Sequence, residues 1–175
     1  DDIYNRRLQE INETNEAAFN RAYIYEYQVS DLDMYYLYVT TLKQNSIIQG
    51  IEDSLTIAEQ VNRYGFLENE LELAKKRRLD YLKQASIEET TRTSEDFIEE
   101  YTDHFLFDEM ISGIDKEVEY TEDILKTISV KDLNDYFRNF FKEENRIISI
   151  VAQDQIENMP TIEEIENLIK KLSTK

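Results

Sequence analysis

With 175 residues, 41% hydrophobic content, eight Phe and twelve Tyr, the chain has room for one ordinary domain with a real core, which excludes disorder. Its 38 acidic and 20 basic residues give a net charge of -18. That argues against nucleic acid or an anionic membrane surface as partner, because phosphate contacts need Lys and Arg. There is no Cys, so disulfides, thiolate chemistry and Cys-ligated zinc are excluded, and no run approaches the roughly 18 apolar residues of a membrane span.

Residues 3 to 14 read as a short helix marked by Ile3, Leu8 and Ile11, broken by the polar Asn12 to Asn15. From Ala17 to Val29 aromatic and β-branched residues alternate with polar ones, which is strand spacing. Ser30 to Asp33 supplies turn chemistry, and Met34 to Leu42 alternates again. Two strands this close most simply form an antiparallel hairpin. Its tyrosines either half-fill a sheet or present an aromatic face to a peptide.

After Asn45 the period changes to three and four. Ile47, Ile51, Leu55, Ala58 and Val61 mark a helix face, with Ser46 and Gln49 as its capping box. Gly65 ends that helix in the left-handed conformation, Phe66 fills the joint, and Glu68 and Glu70 open an acidic first turn. Leu71, Ala74, Leu82 and Ala85 carry the next, long helix, which includes the basic run Lys75-Lys76-Arg77-Arg78. That run is either a solvated turn or a docking surface for an acidic partner domain.

Ser86 to Thr93 reads as a polar link. Phe97, Ile98, Tyr101 and Phe105 mark a further helix face, and Asp108 to Gly113 a loop. Val118, Ile124, Leu125 and Ile128 belong to a helix ending near Thr127. Ser129 with Asp132 starts another, through Leu133, Tyr136, Phe137, Phe140 and Phe141. Arg146 to Ala152 is an apolar run of strand type. After the polar Gln153 to Asn158, Pro160 precedes a capping box of Thr161 and Glu164. A last helix follows, with Ile162, Ile165, Ile169 and Leu172 on one face.

Two strands followed by a run of helices predict an α+β fold: a small antiparallel sheet of about three strands packed against several helices. So thin a sheet leaves an edge open unless something pairs with it, which points to a truncated domain. The chain also begins without an initiator Met or signal peptide and so reads as an excised segment.

Catalytic signatures are sparse. His104 is the single histidine, so no H-E-x-x-H or H-x-x-E-H motif can be written; it reads as an ordinary helix residue between Tyr101 and Phe105 rather than as a metal ligand paired with Asp108. Three glycines, at 50, 65 and 113, make no phosphate loop, and no G-x-S-x-G elbow is present. The catalytic, cofactor-binding and metal-ligating sets expected of this segment are therefore empty.

Several phrases nonetheless fall in an order that resembles the pitrilysin/insulinase family of zinc metallopeptidases, over roughly Tyr4 to Gln153. "YNRRLQEI" resembles the family's R-L-x-E element, seen as Arg7, Leu8 and Glu10. "RYGFLENELELAKK" resembles the phrase joining two helices. "DHFLFDEMISGIDKE" and "ISVKDLNDYF" resemble its His-Phe-Leu helix, Gly-Ile loop and Asp-Leu-Asn helix start, and "NRIISIVA" its closing strand. The resemblance implies an inactive α+β domain. Such a domain would support a catalytic domain elsewhere in the parent and enclose peptide substrate, with zinc held in that other domain. It implies a domain over residues 1–155, its first strands missing, and a linker helix over 156–175 resembling the one after the second domain of long single-chain members. The partners implied are the parent's remaining domains and a peptide or protein substrate. A catalytically dead relative acting as partner subunit would use the same fold. An upstream signal peptide in the parent would place it in the periplasm or cell envelope.

Overall fold

The computed structural model describes residues 1–14, 17–28, 34–43, 46–141, 146–151 and 159–174. In chain order the elements are α1 (Asp2–Glu13), β1 (Phe19–Gln28), β2 (Met34–Leu42), α2 (Ile47–Tyr64), α3 (Glu68–Glu88), a 3-10 turn at Glu89–Thr91, α4 (Ser94–Phe107), α5 (Ile114–Thr127), α6 (Val130–Phe140) and α7 (Ile162–Thr174). This is a mostly helical α+β chain. The predicted turn at Ser30 to Asp33 lies outside the described residues. Among the described residues no helix is long and apolar enough to cross a membrane.

Among the described residues the sheet has two antiparallel strands, not about three. The run predicted as a third strand holds no regular structure over residues 146–151, and Ile147 and Val151 are 93% and 91% exposed. A strand takes its backbone hydrogen bonds from a neighbour. Among the described residues no strand lies beside this run, so its apolar composition alone does not make it one.

The chain forms two compact units, Asp1–Tyr25 with Leu37–Phe66 and Lys131–Lys175, and Glu26–Tyr36 with Leu67–Val130. In the first, α2 lies under the base of the hairpin. Its buried residues are Ile47, Gly50, Ser54, Ile57, Ala58 and Val61, so the predicted Ile47, Ala58 and Val61 are buried, while the stripe is rotated enough to leave Ile51 and Leu55 half-buried. The small residues explain the rotation. A Cβ at Gly50 would stand 2.6 Å from the Ala18 carbonyl oxygen and 2.7 Å from the Leu42 side chain, so the hairpin approaches where the helix is thinnest. Ser46 makes no side-chain cap, and Gln49 bonds Asp53 instead, whose other oxygen accepts from the Ala18 N–H at 2.7 Å.

The last helix also packs within this unit. Leu168 and Leu172 of α7 are buried against α2, the Arg63 guanidinium donates to the Leu172 carbonyl at 2.6 Å, and Lys171 pairs with Glu52 at 2.8 Å. Its predicted capping box is present: the Thr161 N–H donates to Glu164 at 2.8 Å, and the Glu164 N–H to the Thr161 hydroxyl at 3.2 Å.

In the second unit α3 and α5 pack together. Leu71 and Leu82 are buried, Arg78 pairs with Glu117 at 3.3 Å, and the Ser86 hydroxyl donates to Asp115 at 2.6 Å. Two of the four cations of the basic run are thus neutralised, since Lys75 also pairs with Glu72 at 2.9 Å. The predicted polar link is shorter than expected, because α3 runs on to Glu88.

Candidate functional site

Four residues from three of the phrases that carry the sequence resemblance, Arg7, Gly65, Phe66 and Asn134, meet at the joint after α2. Gly65 has φ 75° and ψ -172°, a region open essentially to glycine alone, in place of the left-handed helical conformation expected of it. A Cβ there would stand 2.6 Å from the Asn134 side chain. The missing Cβ is what lets the Asn134 amide slide beneath the chain and clamp the next residue. Its Oδ1 accepts from the Phe66 N–H at 2.6 Å and its Nδ2 donates to the Phe66 carbonyl at 3.3 Å. Arg7 donates to the Gly65 carbonyl at 3.1 Å and sits over the Phe66 ring at 5.2 Å.

The buried Phe66 ring then meets Phe137 edge-on at 5.5 Å, Phe137 stacks on Tyr4 at 5.6 Å, and Tyr4 meets Tyr38 edge-on at 5.8 Å. The Tyr38 hydroxyl donates to the Ser54 carbonyl at 2.9 Å. Burial pushes the Tyr38 phenol up to about 12 and, with Tyr38 beside it, the Tyr4 phenol well above its ordinary value. Four elements, α1, β2, α2 and α6, are tied together here. Among the described residues the joint holds no nucleophile with a base beside it; Asn134, Arg7 and Tyr38 bond backbone atoms, whereas the buried Tyr4 hydroxyl bonds none.

The hairpin offers a second surface. On the outer edge of β1 the Asn5 side chain of α1 behaves as a neighbouring strand would: its Nδ2 donates to the Ile24 carbonyl at 2.8 Å, and the Ile24 N–H donates to its Oδ1 at 2.7 Å. One turn pair further along, Asn12 donates to the Asn20 carbonyl at 3.0 Å. Between helix and strand an open groove of about 550 Å³ is lined by Leu8, Gln9, Arg21 and Tyr23 among others. The Arg21 guanidinium lies over the Tyr23 ring at 4.6 Å. Over Leu37–Leu42 the outer edge of β2 has no strand beside it among the described residues. The tyrosines divide between the two readings: Tyr23, Tyr36 and Tyr38 are half-buried, whereas Tyr25, Tyr27 and Tyr35 are exposed.

His104 is exposed on α4, and its Nδ1 lies 2.6 Å from the Glu109 carbonyl rather than against Asp108. Among the described residues no group of three His, Asp or Glu side chains is placed to hold a metal ion.

No protein-family model matches the chain, and no curated protein matches it. Two solved structures do. One is the first half of the periplasmic protease PqqL from Escherichia coli, with a TM-score of 0.72 and 16% identity over 79% of this chain. The other is the periplasmic protease PqqL from the same organism, with a TM-score of 0.74 and 17% identity over 81% of this chain. The chain shares its fold with part of a protease. It spans 30% of the first structure's length and 16% of the second's. At these identities the likeness is one of backbone architecture.

Proposed function

We propose that this chain is a non-catalytic domain of a pitrilysin-like zinc metallopeptidase, the second domain of a long single-chain member. It supports the catalytic domain and encloses peptide substrate, while zinc belongs to the parent's catalytic domain. The supporting observation is the conjunction of two findings. The fold is shared with part of a protease, and the residues carrying the sequence resemblance, Arg7, Gly65, Phe66 and Asn134, lie in a structural joint. On this reading residues 1–155 are the domain, and residues 156–175, whose helix α7 packs back on α2, lead on to the next.

Substrate contact falls to the hairpin. An extended peptide adds to the outer edge of β2, where main-chain hydrogen bonds give sequence-tolerant binding. The opposite edge is closed by Asn5 and Asn12. The purified chain is expected to carry no stoichiometric zinc by metal analysis and to leave unstructured peptides uncut. The parent peptidase is expected to lose peptide cleavage, with its zinc retained, when Pro replaces Val39 in the middle of β2. One equivalent of zinc held by this chain, or cleavage by it, refutes the non-catalytic reading. Full cleavage by the Val39→Pro parent refutes the β2 edge alone.

A further inference from the structure

A surface in the second unit lies outside the reading above. The helix α4 is amphipathic, yet every apolar residue of its expected core stripe is exposed: Phe97 by 39%, Ile98 by 62%, Tyr101 by 56% and Phe105 by 85%. Leu106 and, in the following loop, Met110 are exposed by 51% and 77%. None of the α4 residues whose burial is described is buried. A helix of 14 residues is at the margin of stability in water without tertiary support. This one is held at its start by Thr93 and Asp96, whose carboxylate accepts from the Thr93 N–H at 2.6 Å. A contiguous apolar stripe of this kind marks an interaction surface.

Its electrostatic setting is one-sided. Residues 94–113 contain seven carboxylates and no Lys or Arg, a far higher acid density than the chain's net -18 over 175 residues. One flank is partly neutralised from within, where Arg92 pairs with Glu100 at 2.7 Å and covers the Phe97 ring at 4.2 Å. Among the described residues Glu95 and Asp103 make no ion pair.

We propose that the α4 stripe docks a basic amphipathic helix of a partner protein. Phe97, Tyr101 and Phe105, with Ile98 alongside, repeat at the spacing that receives helical anchors at i, i+3, i+4 and i+7. The surrounding carboxylates select Lys and Arg on the incoming rim. A second copy of this chain is disfavoured as occupant, because a two-fold contact would set the seven carboxylates of each α4 region against those of the other. The same charge disfavours nucleic acid and anionic lipid.

The test uses the full chain and two labelled synthetic helical peptides, one with Leu on one face and Lys on the other, the second with Glu in place of every Lys. Fluorescence anisotropy is expected to show binding of the lysine peptide only. Ile98→Ser and Phe105→Ser are each expected to weaken it about tenfold, the usual effect of losing an anchor, while circular dichroism and the urea midpoint stay unchanged. Glu95→Gln with Asp103→Asn is expected to weaken binding and flatten its salt dependence, whereas Glu163→Gln with Glu166→Gln on α7 changes neither. Unaltered binding by the two serine variants, or equal weakening by the α7 control, overturns the proposal. A dimer in sedimentation that Phe105→Ser dissolves also overturns it, since a second copy then covers the stripe.

Discussion

The clamp at the α2–α3 joint makes a quantitative prediction. Asn134→Ala removes the acceptor of the Phe66 N–H, a bond of 2.6 Å, and the donor to the Phe66 carbonyl at 3.3 Å. Phe66 is 6% exposed, so its N–H would lie buried without a partner, which costs about 1–3 kcal/mol. The longer carbonyl bond adds at the low end of that range, and the expected loss is about 2–3 kcal/mol. With a urea m-value in the upper part of about 1–3 kcal/mol/M, the midpoint should fall by about 1 M at unchanged slope. Gly65→Ala adds a second arm. It combines the strain of a Gly-only backbone region, about 1–3 kcal/mol, with the collision of a Cβ against the Asn134 amide. In the Asn134→Ala background that collision vanishes, so the double variant should lose less than the sum of the two single ones, by about 0.5 kcal/mol or more. Urea unfolding of the four proteins completes the cycle. Strict additivity, or a midpoint that Asn134→Ala leaves in place, would refute the clamp.

Three further outcomes are expected. Tyr4 and Tyr38 are both held neutral by burial, with Tyr38 pushed from 10.0 to about 12. A raised folded-state value means the Tyr38 contribution is intact below pH 10 and is lost as pH climbs from 10 to about 12, with Tyr4 adding a loss in the same direction, which urea midpoints across pH 8 to 12 would follow and Tyr38→Phe would partly flatten. Gly50→Ala drives a Cβ to 2.6 Å from the Ala18 carbonyl oxygen, a backbone atom that cannot swing aside, and should destabilise by about 1–3 kcal/mol in thermal unfolding. Arg63→Ala removes the bond to the Leu172 carbonyl, and trypsin should then cut at Lys170 or Lys171 faster than in the parent chain while cuts within α3 keep their rate.

Most helices were legible because their apolar residues repeat at three and four, and the hairpin because its residues alternate. The α+β class followed from their order. What the residues alone do not carry is the identity of the neighbour. Ile147 and Val151 read as strand whether or not a strand lies beside them, and Phe97 to Phe105 read as a core stripe whether or not anything covers it. On the buried face of α2, Ile47, Ala58 and Val61 are legible as large or small apolar residues at helical spacing, whereas Gly50 and Ser54 are not, because they mark the place of closest approach rather than an apolar stripe. At the joint, Gly65 and Phe66 announce themselves as a helix corner. Arg7 and Asn134, 58 and 68 residues away from their partners there, appear only as parts of separate phrases. Their meeting depends on tertiary contacts that no local spacing encodes.

The Asn5 contact with Ile24 has a dynamic consequence. The helix α1 holds β1 through the side-chain amides of Asn5 and Asn12, whereas β2 holds it through a backbone ladder, so the helix can lift away while the hairpin stays zipped. Deuterium uptake at the Ile24 N–H therefore clocks the undocking of α1, separately from the opening of the sheet.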